Sequence, residues 1–302
     1  YESWVTSEER PLMSPRLFKN NVFPLLDKGE KVCFFLIDNF RLDQWKAIQP
    51  MLAEHFNVSE DLYTTILPTS TQYARNAIFA GLMPVDIATM YPQYWVEEDE
   101  DEGLNVHEQE LVQTQLDRFR RKEKFTYTKI YDSTGCEKYL ARLGKTRDIP
   151  LQVVVLNFID MLSHARTESK MIRELASNDA AYRSLSESWF RHSGVLDIFA
   201  RLAEFGYKVV LTTDHGTIRV ENPIKVVGDK NTNTNLRYKV GKTLSYNPKQ
   251  VYEIKNPKRF GLPAPNIASA YIFATNEDFF SYPNNYNYYV QYYNGTLSLI
   301  HI

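Results

Sequence analysis

Short apolar runs alternate with helical segments along most of the chain, and this alternation limits the folds that it can adopt. The runs read KVCFFLID (31–38), YTTILP (63–68), FTYTKIY (125–131), LQVVVLNFID (151–160) and YKVVLTTD (207–214). Their length and their β-branched and aromatic residues predict strands. Strands separated by helices form parallel sheets that are covered on both faces. The sequence therefore predicts an α/β fold with a largely parallel central sheet, helices on both faces and a helical and loop cap.

Helical spacing fills the intervals between these runs. RLDQWKAIQPMLAEHF (41–56) follows the first run, and STQYARNAIFAGLMP (70–84) follows the second. Gly81 and Pro84 are expected to stop the second of these helices. A long helical region is predicted from Lys170 to Phe205.

Polar residues with metal-binding side chains follow the predicted strands. In chain order they are Asp38, the hydroxyl cluster Thr69-Ser70-Thr71, Asp160 with His164, and Asp214 with His215. Ligands of open α/β sheets bind beyond the carboxyl ends of the strands. Carboxylates and imidazoles are metal ligands, and two ions about 3.5–4 Å apart clamp the attacking and leaving oxygens of a phosphoryl transfer. The joint pattern predicts such a metal site at this edge of the sheet.

Each of these residues also has an ordinary use when it is taken alone. Asp38 fits a helix cap, Thr71 fits a turn hydroxyl, and Asp160 with His164 fits a pair at a helix start. Thr71 is also a candidate nucleophile, because the start of a helix favours an anion and a metal can activate a hydroxyl. Arg75, one turn further on, is a candidate phosphate ligand, with the neighbouring Asn76 and solvent exposure as the competing explanations.

Composition limits the partners and the location of the chain. The net charge of −2 gives no broad electrostatic footprint for duplex nucleic acid or an anionic membrane. No apolar run reaches the roughly 18 residues that a membrane span needs. Cys33 and Cys136 show no disulfide or metal spacing, so we expect reduced interior thiols and a cytoplasmic protein.

Several segments together resemble the PglZ domain of the alkaline phosphatase superfamily, in the form that serves as the effector domain of response regulators of type IX secretion. They are DNFRLDQW (38–45), LPTSTQYARNAIFAGLMP (67–84), NFIDMLSH (157–164) and VVLTTDHGTIRV (209–220). The resemblance extends over residues 1–296. It implies a zinc-dependent phosphodiesterase with Thr71 as nucleophile, acting on cyclic or short linear oligonucleotides.

The resemblance also implies two zinc sites. The first ion would take Asp38, Thr71, Asp214 and His215. The second ion would take Asp160, His164 and a third histidine near the C-terminus. The family takes this third histidine from a His-Gly-Gly segment.

The last residues depart from the family pattern. In place of the His-Gly-Gly segment the chain reads LSLIHI (297–302), and His301 lacks the glycine context. We therefore expect a PglZ domain over 31–296, an artefactual tail over 297–302 and an incomplete second zinc site. Residues 1–30 are expected to lead in from a regulatory region upstream, because the chain begins inside what reads as a longer polypeptide.

The resemblance implies partners as well. They are an upstream receiver domain and regulatory proteins of the secretion system. A homodimer of the chain is a further candidate assembly. The segment DKNTNTNLRYKVGK (229–242) is expected to form a flap near the site, in which Arg237, Lys239 and Lys242 hold a substrate phosphate by charge-assisted bonds. Solvated basic side chains in a loop are the competing explanation.

A different class of function stays open at this point. A metal-stabilised output domain would contact other proteins without significant catalysis. Its function would depend on the acidic run Glu97–Glu102 and on the tyrosine-rich C-terminal region. A phosphomutase shares the scaffold too, whereas Thr71 disfavours a sulfatase, which needs a modified Cys or Ser.

Overall fold

The computed structural model describes residues 1–96, 105–229, 232–264 and 268–299. The helices in chain order are α1 (Glu2–Thr6), α2 (Phe23–Asp27), α3 (Leu42–Leu52), α4 (Asn76–Ala80), α5 (Pro84–Met90), α6 (Glu108–Arg118), α7 (Ser133–Leu143), α8 (Phe158–Glu168), α9 (Lys170–Leu175), α10 (Asp179–His192), α11 (Val195–Glu204) and α12 (Tyr286–Tyr293). The strands are β1 (Lys31–Ile37), β2 (Phe125–Ile130), β3 (Leu151–Leu156), β4 (Tyr207–Thr212), β5 (Thr217–Arg219), β6 (Asn222–Lys225), β7 (Tyr238–Gly241), β8 (Val251–Ile254), β9 (Ala270–Ala274), β10 (Asp278–Ser281) and β11 (Leu297–Leu299). Two π-helical turns, Phe18–Val22 and Thr71–Arg75, run directly into α2 and α4.

The chain forms two compact units, and each is assembled from separate segments. Unit 1 comprises Tyr1–Arg16, Tyr63–Gln115 and Thr217–Ile302. Unit 2 comprises Leu17–Leu62 and Leu116–Gly216.

Unit 2 is built on a parallel sheet with the strand order β2-β3-β1-β4. β1 lies between β3 and β4, with Ile37 paired to Leu156 and Leu36 paired to Thr212. Every residue of β3 is buried, and so is every residue of β1 after Lys31. Continuous apolar runs of this kind suit strands that are covered on both faces. The carboxyl ends of β1, β3 and β4 therefore lie side by side.

Both faces of this sheet are covered by helical segments. Phe34 and Phe35 are neighbours in β1 and so point to opposite faces. The ring of Phe34 lies 4.5 Å from that of Phe18, and the ring of Phe35 lies 4.8 Å from that of Phe199 in α11. Side chains from α3, α7 and α10 complete the core on the α11 side. The predicted α/β fold with a parallel central sheet and helices on both faces is confirmed.

Unit 1 contains smaller sheets of mixed direction. β7, β9 and β8 form an antiparallel sheet, β6 pairs with β10 in parallel, and β5 pairs with β11 antiparallel. A small core joins β6, β9 and β10. Because β11 spans Leu297–Leu299, the first residues of the expected tail form a strand.

One predicted strand is absent. Within the described residues, the segment Tyr63–Pro68 pairs only at Thr64, through an isolated parallel bridge to Met13. Its β-branched residues favour an extended backbone, but a strand also needs a neighbour that continues the ladder. That neighbour is a tertiary feature and leaves no signal in the segment itself.

Several predicted boundaries also differ in the structure. The run that was expected to end at Asp160 ends as a strand at Leu156, and Asp160 lies in the first turn of α8. The long helical region is divided into α9, α10 and α11, because Asn178 caps the start of α10 and Gly194, with φ 84°, precedes α11. Gly81 ends α4 as predicted, whereas Pro84 begins α5. Proline suits the first turn of a helix, where its missing N–H has no partner to lose.

Cys33 and Cys136 are buried, and neither forms a disulfide. Burial raises the pKa of each thiol to about 12. Both are interior thiols, as the sequence predicts. Among the helices of the described residues, none has the length and apolar character to cross a bilayer.

Candidate metal centre

Asp38, Asp214 and His215 lie together beyond the carboxyl edge of the unit 2 sheet. Each offers a ligand atom, and these atoms all lie within 4.8 Å of one another. His215 Nε2 is 3.4 Å from Asp38 Oδ1 and 3.9 Å from Asp214 Oδ2. The three side chains are almost completely buried. Two carboxylates and one imidazole in a buried cluster are a donor set that fits zinc.

The sheet explains why these three residues meet. β1 and β4 are adjacent and parallel, and their last paired residues are Leu36 and Thr212. Asp38 and Asp214 each follow two residues later, so both leave the sheet at the same level. Neighbouring parallel strands bring their carboxyl ends to one edge, where ligands of such folds bind.

Backbone and hydroxyl contacts hold the two strand ends against each other. The N–H of Phe40 donates to Thr213 Oγ1 over 3.0 Å, and Thr213 Oγ1 donates to the carbonyl of His215 over 2.8 Å. The N–H of His215 donates to Asp214 Oδ1 over 3.0 Å. These bonds orient the cluster without using the imidazole nitrogens.

Asp160 and His164 form a pair on α8 in the same unit. Their i, i+4 spacing puts His164 Nε2 3.4 Å from Asp160 Oδ2. The side chain of His164 is 72% exposed and that of Asp160 is 23% exposed, so the histidine is open to solvent and the carboxylate is partly buried. The third histidine that the family pattern requires has His301 as its candidate, and His301 lies outside the described residues.

Asn39 connects this pair to the buried cluster, and sequence reasoning missed it. Its Nδ2 donates to Asp160 Oδ1 over 3.1 Å, and its backbone N–H donates to Asp214 Oδ1 over 3.3 Å. The signal in the sequence was an asparagine directly after a strand-end aspartate, because asparagine tolerates the left-handed turns found there.

The electrostatics of the cluster favour a cation. Burial works to lower the pKa of His215, but the charges of Asp214 and Asp38 outweigh it and raise this pKa to about 9. Burial works to raise the pKa of Asp160, but the hydrogen bond and charge of His164 lower it on balance. The same hydrogen bond raises the pKa of His164. The imidazolium of His215 therefore offsets the carboxylate charges in a metal-free chain.

Thr71 begins the π-helical turn that leads into α4, as expected for a hydroxyl at a helix start. It is half-buried and belongs to unit 1, whereas the cluster belongs to unit 2. Its role as nucleophile and as a metal ligand stays a prediction.

The basic residues predicted to bind substrate phosphate all lie inside unit 1. Arg75 is fully buried, and its Nη1 lies 3.2 Å from Glu108 Oε1 in an ion pair. Arg237 is also fully buried and donates to the backbone carbonyls of Thr275 and Asp278. Burial lowers its pKa to about 10. Because Arg75 is fully buried, the competing use of solvent exposure is wrong for it.

Lys239 is buried in β7 and completes this set. Its Nζ donates to the carbonyl of Asn233 over 2.7 Å and lies 4.8 Å from the ring centre of Tyr282. The competing explanation of solvated loop side chains is therefore wrong for Arg237 and Lys239. Their predicted contact with phosphate stays a prediction.

The acidic run Glu97–Glu102 lies outside the described residues.

A comparison with protein families matches residues 17–302 to the BREX system PglZ alkaline phosphatase-like domain. A search of the curated proteins found no match.

Solved structures of low sequence identity share the fold. Murine ectonucleotide pyrophosphatase/phosphodiesterase 5 is 12% identical, with a TM-score of 0.58 over 90% of this chain and 84% of that one. An inactive threonine-to-alanine variant of the same murine protein, in complex with AMP, is 11% identical, with a TM-score of 0.53 over 83% of this chain and 80% of that one.

Proposed function

The chain belongs to the PglZ alkaline phosphatase-like family, and we propose that it is a zinc-dependent phosphodiesterase. The observation that carries this proposal is the buried cluster of Asp38, Asp214 and His215 at the carboxyl edge of a parallel sheet. A buried group of two carboxylates and an imidazole is costly unless a cation balances it. The shared fold of a nucleotide pyrophosphatase/phosphodiesterase supports the same chemistry.

Two sets of side chains would hold the ions. The buried cluster with Thr71 is the first set, and Asp160 with His164 is the second. Bound zinc would supply Lewis-acid stabilisation of phosphoryl oxygens and lower the pKa of a hydroxyl beside it. The donor atoms of both sets are the carboxylate oxygens and imidazole nitrogens that zinc accepts.

Thr71 is the proposed nucleophile. Its Oγ1 bonds to phosphorus and its proton passes to solvent, while the bond from phosphorus to the leaving oxygen breaks and that oxygen takes a proton from solvent. Water then displaces the Thr71 oxygen, which regains a proton as the water loses one, and a phosphate monoester is released. The inactive threonine-to-alanine variant of the murine protein, obtained with AMP, supports a threonine in this role and a nucleotide-type ester as substrate.

We further propose a regulatory setting for this activity. The motifs quoted above resemble the effector domain of PorX, a response regulator of type IX secretion. A receiver domain upstream would then control the hydrolysis of cyclic or short linear oligonucleotides in the cytoplasm, in concert with secretion-system regulators and as a homodimer.

Hydrolysis of bis(4-nitrophenyl) phosphate tests the core proposal. Wild-type chain with zinc should release nitrophenolate, and a chelator should abolish the release. Thr71→Ala should lower turnover by about 10³-fold or more, since it removes the nucleophile, while the thermal midpoint stays the same. Thr89→Ala, an exposed threonine of α5, is the matched control and should retain full activity.

Undiminished turnover in Thr71→Ala, or turnover that survives complete removal of metal, would contradict the proposal. A chain that binds no zinc and hydrolyses no ester would instead favour the protein-binding output domain.

A further inference from the structure

Asn39 occupies an unusual position directly after the strand-end ligand Asp38. Its backbone is left-handed, with φ 59°, and the residue is only 1% exposed. Among residues other than glycine, asparagine is one of the few that adopts this conformation readily. The turn allows Asn39 to use its backbone and its side chain in different directions.

The two donors of Asn39 reach carboxylates of different ligand sets. The backbone N–H donates to Asp214 Oδ1 in the buried cluster, and Nδ2 donates to Asp160 Oδ1 on α8. A carboxylate accepts hydrogen bonds only, so the amide nitrogen and not the amide oxygen must face Asp160. This fixes the orientation of the amide.

The remaining support for Asp160 is weak. Among the described residues, its other ion-pair partner is His164, whose side chain is 72% exposed. Asp160 and Asp214 are both carboxylates, and Asn39 donates to one oxygen of each. A donor on each carboxylate fixes both groups before a cation arrives.

The environment of the carbonyl oxygen of Asn39 gives a second indication of the role of this side chain. Asn39 Oδ1 is buried and, within the described part of the chain, accepts no hydrogen bond. A buried acceptor without a donor costs free energy. The amide therefore keeps its Nδ2 bond to Asp160 although its buried Oδ1 lacks a donor among the described residues. This arrangement fits a side chain whose role is to position Asp160.

We propose that Asn39 is a positioning residue that couples the two metal-ligand sets by fixing Asp160 relative to Asp214. The inference rests on the proposed metal-dependent function. Asn39 contacts neither ion nor substrate in this role and acts through Asp160.

Zinc titration of the chelator-treated full chain tests the coupling. Asn39→Gly keeps the left-handed backbone and its N–H but removes the amide, since glycine adopts this conformation without strain. We expect the weaker of two zinc-binding steps to lose about 10–100-fold in affinity, as for other residues that orient a ligand. The tighter step, assigned to Asp38, Asp214 and His215, should change little.

Asn276→Gly is the matched control. Asn276 is another left-handed asparagine, with φ 47°, in the turn between β9 and β10, and both zinc steps should be unchanged in this variant.

A double-mutant cycle adds a readout that a general loss of stability would not produce. In an Asp160→Ala background, Asn39→Gly should cause no further loss of zinc affinity, because its partner is already absent.

These zinc titrations distinguish a failure of the positioning role of Asn39 from a failure of the proposed phosphodiesterase function. If wild-type chain binds two ions and Asn39→Gly binds both equally well, the positioning role is wrong and the phosphodiesterase stands. Equal weakening of both steps, or further loss in the Asp160→Ala background, also overturns it. If wild-type chain takes up no zinc, both proposals are wrong.

Discussion

At the scale of single residues, His215 shows how the cluster depends on charge. Its imidazole is buried against Asp38 and Asp214, and their carboxylates outweigh burial and keep its pKa near 9. The protonated ring then balances part of the negative charge of the two carboxylates. Zinc requires the neutral ring, so proton and metal compete for the same nitrogen.

The stability of the metal-free chain should therefore depend on pH through His215. The folded pKa of about 9 lies above the ordinary value of 6.5, so the stabilisation is complete below pH 6.5 and is lost as pH rises through 9. With a chelator present, the thermal midpoint should fall over this interval. His215→Gln should lack this component of the fall.

The exposed His192 at the end of α10 provides a control. His192→Gln should keep the wild-type pH profile. A wild-type profile that matches His215→Gln would contradict the assignment. Zinc affinity should show the opposite trend and increase over the same pH interval, because fewer protons then compete for the ring.

At the scale of elements, the helix that begins with Thr71 has a defined end. Gly81 terminates α4 with φ 61°, in the left-handed region. A Cβ at this position would also lie 2.7 Å from Cδ of Gln115, which is fully buried on α6. Backbone conformation and lack of space thus both require glycine.

Gly81→Ala should lower the free energy of unfolding. The left-handed backbone costs an alanine about 1–2 kcal/mol, and overpacking against Gln115 adds roughly 1–3 kcal/mol. Denaturant unfolding would measure the change. Gly144→Ala is the control, since Gly144 has φ −60° and open space around a Cβ, and it should change stability by less than about 1 kcal/mol in the stabilising direction. Equal effects of the two substitutions would contradict this account.

At the scale of the whole molecule, each unit is discontinuous in sequence. Unit 2 takes β1 from Leu17–Leu62 and β2, β3 and β4 from Leu116–Gly216. Because β1 lies between β3 and β4, the later segment alone has a gap in the middle of its sheet. The buried cluster of Asp38, Asp214 and His215 is divided in the same way, since Asp38 comes from the first segment.

A fragment of residues 116–216 should therefore not fold by itself. Its β3 and β4 would expose the edges and the apolar faces that β1 covers. We expect a circular dichroism spectrum without cooperative thermal unfolding. Addition of a 17–62 fragment should restore part of the sheet signal. Cooperative unfolding of the 116–216 fragment alone would show that β1 is dispensable to this unit.

Much of the fold and part of the candidate site could be predicted from the sequence. Continuous apolar runs such as β1 and β3 identify buried parallel strands, because burial on both faces acts on every residue of the run. The convergence of Asp38, Asp214 and His215 follows from the same rule, since parallel strands end at one edge. Local periodicity reports these features directly.

The tertiary structure alone decided the remainder, because it depends on which segments become neighbours. Tyr63–Pro68 has strand-like residues, but in the described part of the chain its only β-bridge joins Thr64 to Met13. Arg237 and Lys239 lie in a polar, basic segment, yet both are buried and backbone carbonyls inside unit 1 accept their hydrogen bonds. The bridge from Asn39 to Asp160 joins residues that are far apart in sequence. Local sequence patterns thus identified the four strands of the parallel sheet and the polar residues that follow β1, β3 and β4, while long-range packing determined which of these polar groups meet.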